Sequence, residues 1–227
     1  MKDIRFAKAA LVIAAFLTAA QFAGAQLVLD DFSSGPYFKQ LESGSDTNSQ
    51  SGSMIGGTRS TTFFACPPGP CGLRNQFAQP SSIEVRGATK IAPSALIMSS
   101  GYKAAPRLDV EYGNPNPLSL NLSASYDRLR VTFDGASEIV NFNILVYSSG
   151  GYSQTGCNLS APAYGQPFTV DFPFAYFTSG ADFSDVVLMD FIFQAEGSIG
   201  SEDWAVTSFE AIPIGAAAAD ITCYGLK

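Results

Sequence analysis

The chain consists of short runs in which apolar and polar side chains alternate, and this pattern constrains its fold most strongly. In residues 107–112 (RLDVEY) every second residue is apolar, and residues 128–134 and 139–147 follow a similar pattern. A period of two is typical of strands with one buried and one hydrated face, as in antiparallel sheets. Clusters of Gly, Pro, Ser and Asn separate the runs, and past residue 26 no convincing amphipathic helix is visible. The pattern predicts an all-β protein.

Eleven strands are predicted in a domain that spans residues 26–212. Eleven strands in about 200 residues favour two stacked antiparallel sheets, a β-sandwich or jelly roll. The run 185–194 has few polar breaks and is predicted to be a central strand, whereas the polar stretch 43–53 is predicted to be a mobile loop. The predicted strands are 26–32, 52–57, 60–65, 82–87, 94–99, 106–112, 128–134, 139–147, 166–172, 185–194 and 203–211.

The first 25 residues have the layout of a secretory signal peptide. Three basic residues within 2–8 precede an apolar stretch of about 12 residues, which is short for a membrane span. The sequence Ala23-Gly24-Ala25 then matches an A-x-A cleavage signal, so we expect cleavage near Ala25 and a secreted or cell-surface protein. No later stretch is long and apolar enough to span a membrane, and residues 213–227 form a short C-terminal tail.

Charge and composition exclude several classes of function. The mature chain carries 10 basic and 19 acidic residues, a net charge of −9, and an acidic chain without a basic patch repels nucleic acid. The sequence contains no histidine, which excludes Ser-His-Asp and Cys-His catalysis and His-ligated zinc or haem. Because the mature chain is acidic, we expect no nucleic-acid partner.

Four cysteines remain in an exported chain, which favours disulfides. Cys66 and Cys71 enclose a stiff Pro-Pro-Gly-Pro turn, so we favour the pairing Cys66–Cys71 with Cys157–Cys223 among the three that are possible. A thiolate metal site is the alternative, but Cys157 and Cys223 lack the close neighbours that zinc sites need.

Four segments carry a resemblance to a known family. They are LVLDDFSSG at 27–35, GSMIGGTR at 52–59, FPFAYFTSGADFSD at 172–185 and SEDWAVTSFEAI at 201–212. In this order they resemble secreted bacterial jelly-roll proteins that are similar to carbohydrate-binding modules and often carry a C-terminal sorting tag linked to exopolysaccharide. The resemblance implies an extracellular, galactose-binding-like sandwich. Residues 213–227 lack the apolar span and basic end of that tag, so free secretion is the better prediction.

Acidic residues at both ends of the domain are candidate calcium ligands. Asp30 and Asp31 follow the first predicted strand, and Glu202 and Asp203 precede the last one. The first and last strands of jelly rolls often lie close together, and calcium takes six to eight oxygen ligands. The alternative is that Asp30 caps a turn and the other carboxylates are hydrated. Arg59 is expected either to face Asp31 or to lie alone on the surface.

One strand offers a candidate sugar-binding face. Asn141, Asn143 and Tyr147 share the polar side of the strand 139–147. Amides hydrogen-bond to hydroxyl groups, and a tyrosine ring supplies an apolar body with a polar tip on which a sugar can rest. The alternative is an ordinary hydrated face.

Catalysis without histidine would need paired carboxylates, as in glycosidases. Asp109, Glu111, Asp190 and Glu196 are available, but no sequence feature places two of them across a cleft. The sequence therefore predicts an exported non-catalytic β-sandwich that binds or organises extracellular polysaccharide. The alternatives are a structural surface or matrix protein without a small ligand, and then a carboxylate-based glycosidase.

Overall fold

The protein is an antiparallel β-sandwich, which confirms the predicted fold class. The computed structural model describes residues 24–65, 79–102, 104–137, 139–163, 165–195 and 203–225. Within these ranges the strands, in chain order, are β1 (Leu27–Asp30), β2 (Tyr37–Leu41), β3 (Ser45–Ser51), β4 (Thr58–Phe64), β5 (Ser81–Arg86), β6 (Ala95–Ser99), β7 (Arg107–Tyr112), β8 (Tyr126–Ala136), β9 (Ile139–Ser148), β10 (Gly151–Ser160), β11 (Phe168–Pro173), β12 (Val186–Gln194), β13 (Asp203–Pro213) and β14 (Ile221–Thr222).

The strands form two sheets that share one core. The eight-stranded sheet runs β14-β11-β8-β13-β6-β5-β2, with β1 also paired to β13, and the six-stranded sheet runs β10-β9-β12-β7-β4-β3. From β6 onward the chain crosses repeatedly from one sheet to the other, as it does in jelly rolls. The pairing is antiparallel throughout these sheets except between β11 and β14. As predicted, β12 is a central strand, paired to β9 and β7.

Aromatic rings fill the space between the sheets. Phe191 of β12 stacks on Phe209 of β13 with ring centroids 4.0 Å apart, and Phe193 stacks on Trp204 at 4.2 Å. All four side chains are buried. Because the two members of each pair come from opposite sheets, these contacts fix the sheets face to face.

A buried ion pair also joins the sheets. Arg59 of β4 donates through Nη1 to Asp30 Oδ2 at 2.6 Å, and the Tyr112 hydroxyl donates to the same oxygen at 2.7 Å. Gln50 Oε1 accepts from the Arg59 Nε and Nη2 atoms at 3.1 and 2.8 Å. Burial and the Asp30 carboxylate raise the pKa of Tyr112 well above its ordinary value. Arg59 is therefore neither a surface residue nor the partner of Asp31, because the fold directs it into the core.

A disulfide and hydrogen bonds hold the C-terminal segment at one edge of the sandwich. The disulfide Cys157–Cys223 links β10 of the smaller sheet to the residue after β14 of the larger one, with Cα atoms 6.0 Å apart. This confirms one predicted pairing, whereas Cys66 and Cys71 lie outside the described residues. Arg130 binds Asp171 through Nε and Nη2 at 2.7 and 3.0 Å, and Asp171 also accepts from the backbone N–H of Ala219 at 2.9 Å.

Two local predictions are wrong. Residues 43–53 are not a loop, because β3 pairs with β4 from Ser45 to Ser51. Residues 52–57 are not a strand, because they form the turn between β3 and β4, which contains a 3₁₀ turn at Ile55–Gly57. Gly56 and Gly57 have φ values of 69° and 72°, and this left-handed region favours glycine. The glycines thus serve a turn rather than a bulge within a strand.

Candidate functional site

The candidate site is the polar face, defined as the outward side chains of β7, β9, β10 and β12 in the six-stranded sheet. Asn141, Asn143 and Tyr147 all point to this face, while the intervening residues Phe142, Ile144 and Val146 are buried in the core. Asn143 Nδ2 donates to Asn141 Oδ1 at 3.1 Å, which orients both amides along the strand. The alternation in the sequence therefore places all three predicted residues correctly on one face.

Strand register brings carboxylates from two distant segments beside these residues. Asp190 of β12 lies opposite Leu145 of β9 on one side and opposite Glu111 of β7 on the other. Asp109 is two residues from Glu111 and shares its face. Of the four carboxylates considered for catalysis, three therefore lie together, and Glu196 is outside the described residues.

The three carboxylates differ in their partners. Asp109 is bound in a bidentate manner by Arg107, with Nε–Oδ1 and Nη2–Oδ2 distances of 2.6 and 2.9 Å. Glu111 accepts from the side-chain amide of Asn114 at 2.7 Å. By contrast, Oδ1 of Asp190 is buried and has no hydrogen-bond partner among the described residues. Asp190 is thus the acceptor that the surrounding side chains leave unsatisfied.

The electrostatic setting of Asp190 follows from this arrangement. Burial is the largest cause, and the charges of Asp109 and Glu111 add to it, so that together they raise the pKa of Asp190 to about 7. Arg107 opposes the shift only in part, because Asp109 already holds its guanidinium. Near neutral pH the carboxyl group of Asp190 therefore exchanges between an acceptor and a donor of hydrogen bonds.

Two tyrosine rings adjoin the carboxylates. Tyr147 lies opposite Leu188 of β12 and opposite Tyr152 of β10, and the two tyrosine rings have centroids 5.7 Å apart. Tyr152 is 55% exposed. Burial and the charges of Asp190 and Glu111 raise the pKa of Tyr147, so its hydroxyl stays protonated and can donate. The sequence did not predict Tyr152 as a site residue, because its strand was not predicted.

The positions of the carboxylates bear on the choice between binding and catalysis. Glycosidases hold two carboxyl groups on either side of a scissile bond. Here Asp190 and Glu111 lie side by side on one sheet surface, since they are directly opposed in adjacent strands. The described residues therefore place these two carboxyl groups beside each other on one surface and not across a cleft.

Asp30 and Asp203, two of the four predicted calcium ligands, do not converge. Asp30 pairs with Phe209 of β13 and Asp203 with Ser99, so the two carboxylates are six residues apart along β13, about 20 Å at the rise of a strand. Asp30 is already bound to Arg59, and Asp203 Oδ1 accepts from the Ser99 hydroxyl at 2.8 Å.

Of the two remaining calcium candidates, only Asp31 lies within the described residues. Asp31 accepts from the Ser33 backbone N–H at 2.9 Å, and Glu202 lies outside the described residues. The described part of the chain holds no group of three or more His, Cys, Asp or Glu side chains that could bind a metal ion. Nor does any helix within that part have the length and apolar character to cross a membrane.

Comparisons with known proteins find similarity only at the level of structure. No protein-family model matches the chain, and no curated protein matches it. A family 11 carbohydrate-binding module from Clostridium thermocellum, solved in complex with a β-1,3-1,4-mixed-linked tetrasaccharide, has a TM-score of 0.38 and 16% identity, covering 83% of this chain and 95% of that one.

Two further structures give similar values. The family 11 carbohydrate-binding module of the cellulosomal cellulase Lic26A-Cel5E of Clostridium thermocellum has a TM-score of 0.39 and 16% identity, covering 84% of this chain and 96% of that one. An agarase has a TM-score of 0.37 and 11% identity over 60% of this chain, which spans 22% of the agarase's length. All three are distant likenesses.

Proposed function

We propose that this chain is an exported, non-catalytic protein that binds extracellular polysaccharide on the polar face. One observation carries the proposal: Asp190, whose buried Oδ1 has no hydrogen-bond partner among the described residues, lies on the same sheet surface as the amides of Asn141 and Asn143 and the ring of Tyr147. Hydrogen-bond donors, hydrogen-bond acceptors and an aromatic ring thus lie together on one rigid surface.

The chemistry of this surface matches that of a polysaccharide. Sugar hydroxyl groups donate to carboxylate and amide oxygens and accept from amide N–H groups, so Asp190 and Asn143 offer complementary partners. The tyrosine rings offer apolar surface with a polar tip to the C–H faces of sugar rings. Because all these side chains project from adjacent paired strands, little conformational entropy is lost when a ligand binds.

Export is supported by two features of the chain. Residues 1–25 have the three-part layout of a signal peptide, and the mature chain contains the disulfide Cys157–Cys223. The net charge of −9 of the mature chain adds to its solubility outside the cell.

Affinity electrophoresis of the purified protein tests the proposal. Native gels would contain one soluble polysaccharide each, including mixed-linked β-1,3-1,4-glucan, agarose, xylan and galactomannan. We expect at least one polymer to retard the wild-type protein, and to retard the Tyr147→Ala and Asp190→Ala proteins less, each measured against its own migration in a gel without polymer. Phe38→Ala is the matched control, because Phe38 is 64% exposed on β2 of the other sheet.

Three outcomes would contradict the proposal. If no polymer retards the wild-type protein, the chain is a structural surface or matrix protein rather than a polysaccharide binder. If a polymer retards the wild-type protein and the Tyr147→Ala and Asp190→Ala proteins equally, the binding surface lies elsewhere. Release of reducing sugar from a labelled polymer would instead show a glycosidase.

A further inference from the structure

Two exposed tyrosines are in contact at the border of the six-stranded sheet, beyond the polar face. Tyr176 and Tyr224 meet edge to face with ring centroids 5.0 Å apart, and they are 43% and 62% exposed. An exposed aromatic ring leaves apolar surface in water, and two such rings in contact form an apolar patch with polar hydroxyl tips.

The chain holds this pair in place from both sides. Tyr224 follows Cys223, whose disulfide to Cys157 fixes it against β10. Tyr176 ends the 3₁₀ turn Phe174–Tyr176, in which the ring of Phe174 stacks on Phe183 at 4.2 Å. Two rings anchored by a covalent bond and by core packing keep their relative position without a ligand, so little ordering cost remains to be met on binding.

Backbone contacts place the pair directly beside β10. Thr178 donates from its backbone N–H to the Gln154 carbonyl at 2.9 Å, and Gln154 donates from its backbone N–H to the Thr178 hydroxyl at 3.0 Å. A Cβ atom added to Gly225 would lie 3.1 Å from the Tyr176 carbonyl oxygen and 3.7 Å from the Thr155 hydroxyl. The segment with Tyr176 therefore lies beside the edge strand β10, and Gly225, which follows Tyr224, packs against both.

The same strand carries Tyr152, which contacts Tyr147 on the polar face. Gln154, which the Thr178 segment contacts, lies two residues from Tyr152 on β10, about 7 Å at the rise of a strand, and Tyr176 lies two residues before Thr178. A polysaccharide chain that crosses the polar face toward β10 would reach the Tyr176–Tyr224 pair within a few sugar units. A short oligosaccharide on the polar face would not.

We propose that Tyr176 and Tyr224 form a second sugar-binding position, which takes a ring of the same polysaccharide chain that the polar face holds and thereby favours long chains. This inference rests on the proposed function. The second contact becomes intramolecular once the first has formed, so it raises the affinity for a polymer while leaving the affinity for a short ligand unchanged. The disulfide is then part of the binding surface, since it sets the position of Tyr224.

Isothermal titration with two probes tests the inference. The probes are mixed-linked β-1,3-1,4-glucan and its tetrasaccharide, and the proteins are wild type, Tyr176→Ala/Tyr224→Ala, Tyr147→Ala and the Phe38→Ala control. We expect the double variant to bind the polymer roughly tenfold more weakly than wild type, and the tetrasaccharide within about twofold of wild type. Tyr147→Ala should weaken binding of both probes.

The outcomes separate this inference from the function on which it rests. A double variant that binds the polymer as tightly as wild type overturns the second position and leaves the polar face intact. A double variant that loses polymer and tetrasaccharide equally also overturns it, because the pair would then belong to the primary site. A wild-type protein that binds neither this glucan nor any other polymer of the affinity gels overturns both. Far-ultraviolet circular dichroism checks that each variant is folded. The Cys157→Ser/Cys223→Ser protein should also bind the polymer more weakly than wild type, because Tyr224 is no longer held against β10.

Discussion

Replacing Asp190 with asparagine should stabilise the protein at neutral and alkaline pH. Asp190 is buried beside Asp109 and Glu111, and its pKa of about 7 exceeds its ordinary value of 3.8. At a pH between these two pKa values, Asp190 keeps its proton in the folded protein but has released it in the unfolded chain. Unfolding therefore releases a proton, and the free energy of unfolding falls as the pH rises from about 4 to about 7.

The magnitude follows from the size of the shift. About three pKa units at about 1.36 kcal/mol each set an upper limit of about 4 kcal/mol for the destabilisation above pH 7. Oδ1 is buried but the residue as a whole keeps some exposure, so water screens part of the repulsion and we expect about 2 kcal/mol. Asparagine keeps the shape of the side chain but carries no charge, so Asp190→Asn should recover this amount above pH 7 and progressively less toward pH 4.

Urea denaturation at pH 4.5 and pH 8 measures the effect. The free energy of unfolding of wild type should fall between these pH values by about 2 kcal/mol relative to that of Asp190→Asn. Glu84→Gln is the matched control, because Glu84 lies on a strand of the other sheet between Phe38 and Ile97. If Asp190→Asn is no more stable than wild type at pH 8, or if its advantage is the same at both pH values, the assignment of Asp190 is refuted.

Three further substitutions probe the framework of the sandwich. Cys157→Ser/Cys223→Ser removes a link across 66 residues and should lower the free energy of unfolding by about 4 kcal/mol in urea, and an unchanged midpoint would contradict the cross-sheet role. Arg59→Met leaves the Asp30 carboxylate buried and unpaired and should cost about 3–5 kcal/mol, whereas adding Asp30→Asn should restore much of the loss; no restoration would refute the pairing. Tyr112→Phe removes one hydrogen bond to Asp30 and should cost about 1–3 kcal/mol by thermal denaturation, and a neutral result would argue against that bond.

The sequence predicted the positions of those strands in which one face is strongly apolar. The stretch 107–112 alternates without a break, and it forms β7 with Leu108 and Val110 in the core. The pattern failed for Ser45–Ser51 and Gly151–Ser160, which form the outermost strands β3 and β10 of the smaller sheet. An outer strand has one paired neighbour and packs fewer side chains, so polar and glycine-rich residues are tolerated there and periodicity is weak.

The candidate site was predictable only in part for a related reason. Asn141, Asn143 and Tyr147 lie in one segment, so their shared face follows from a period of two. Asp190 joins them because β12 pairs with β9, and Glu111 joins because β7 pairs with β12. Register between strands that are distant in sequence is not encoded in a local pattern. The alternation of polar and apolar residues in each strand shows which residues face outward, but it does not show which of them become neighbours.

Mapping a bound oligosaccharide by nuclear magnetic resonance tests the central claim most directly. The isotope-labelled protein would be titrated with an oligosaccharide from a polymer that retards it in the gels, and backbone amide shifts would be recorded. The account predicts that the largest shifts cluster on β7, β9, β12 and β10, centred on Tyr147 and Asp190. Shifts confined to the eight-stranded sheet, or no shifts at millimolar ligand, would contradict the claim that the polar face binds polysaccharide.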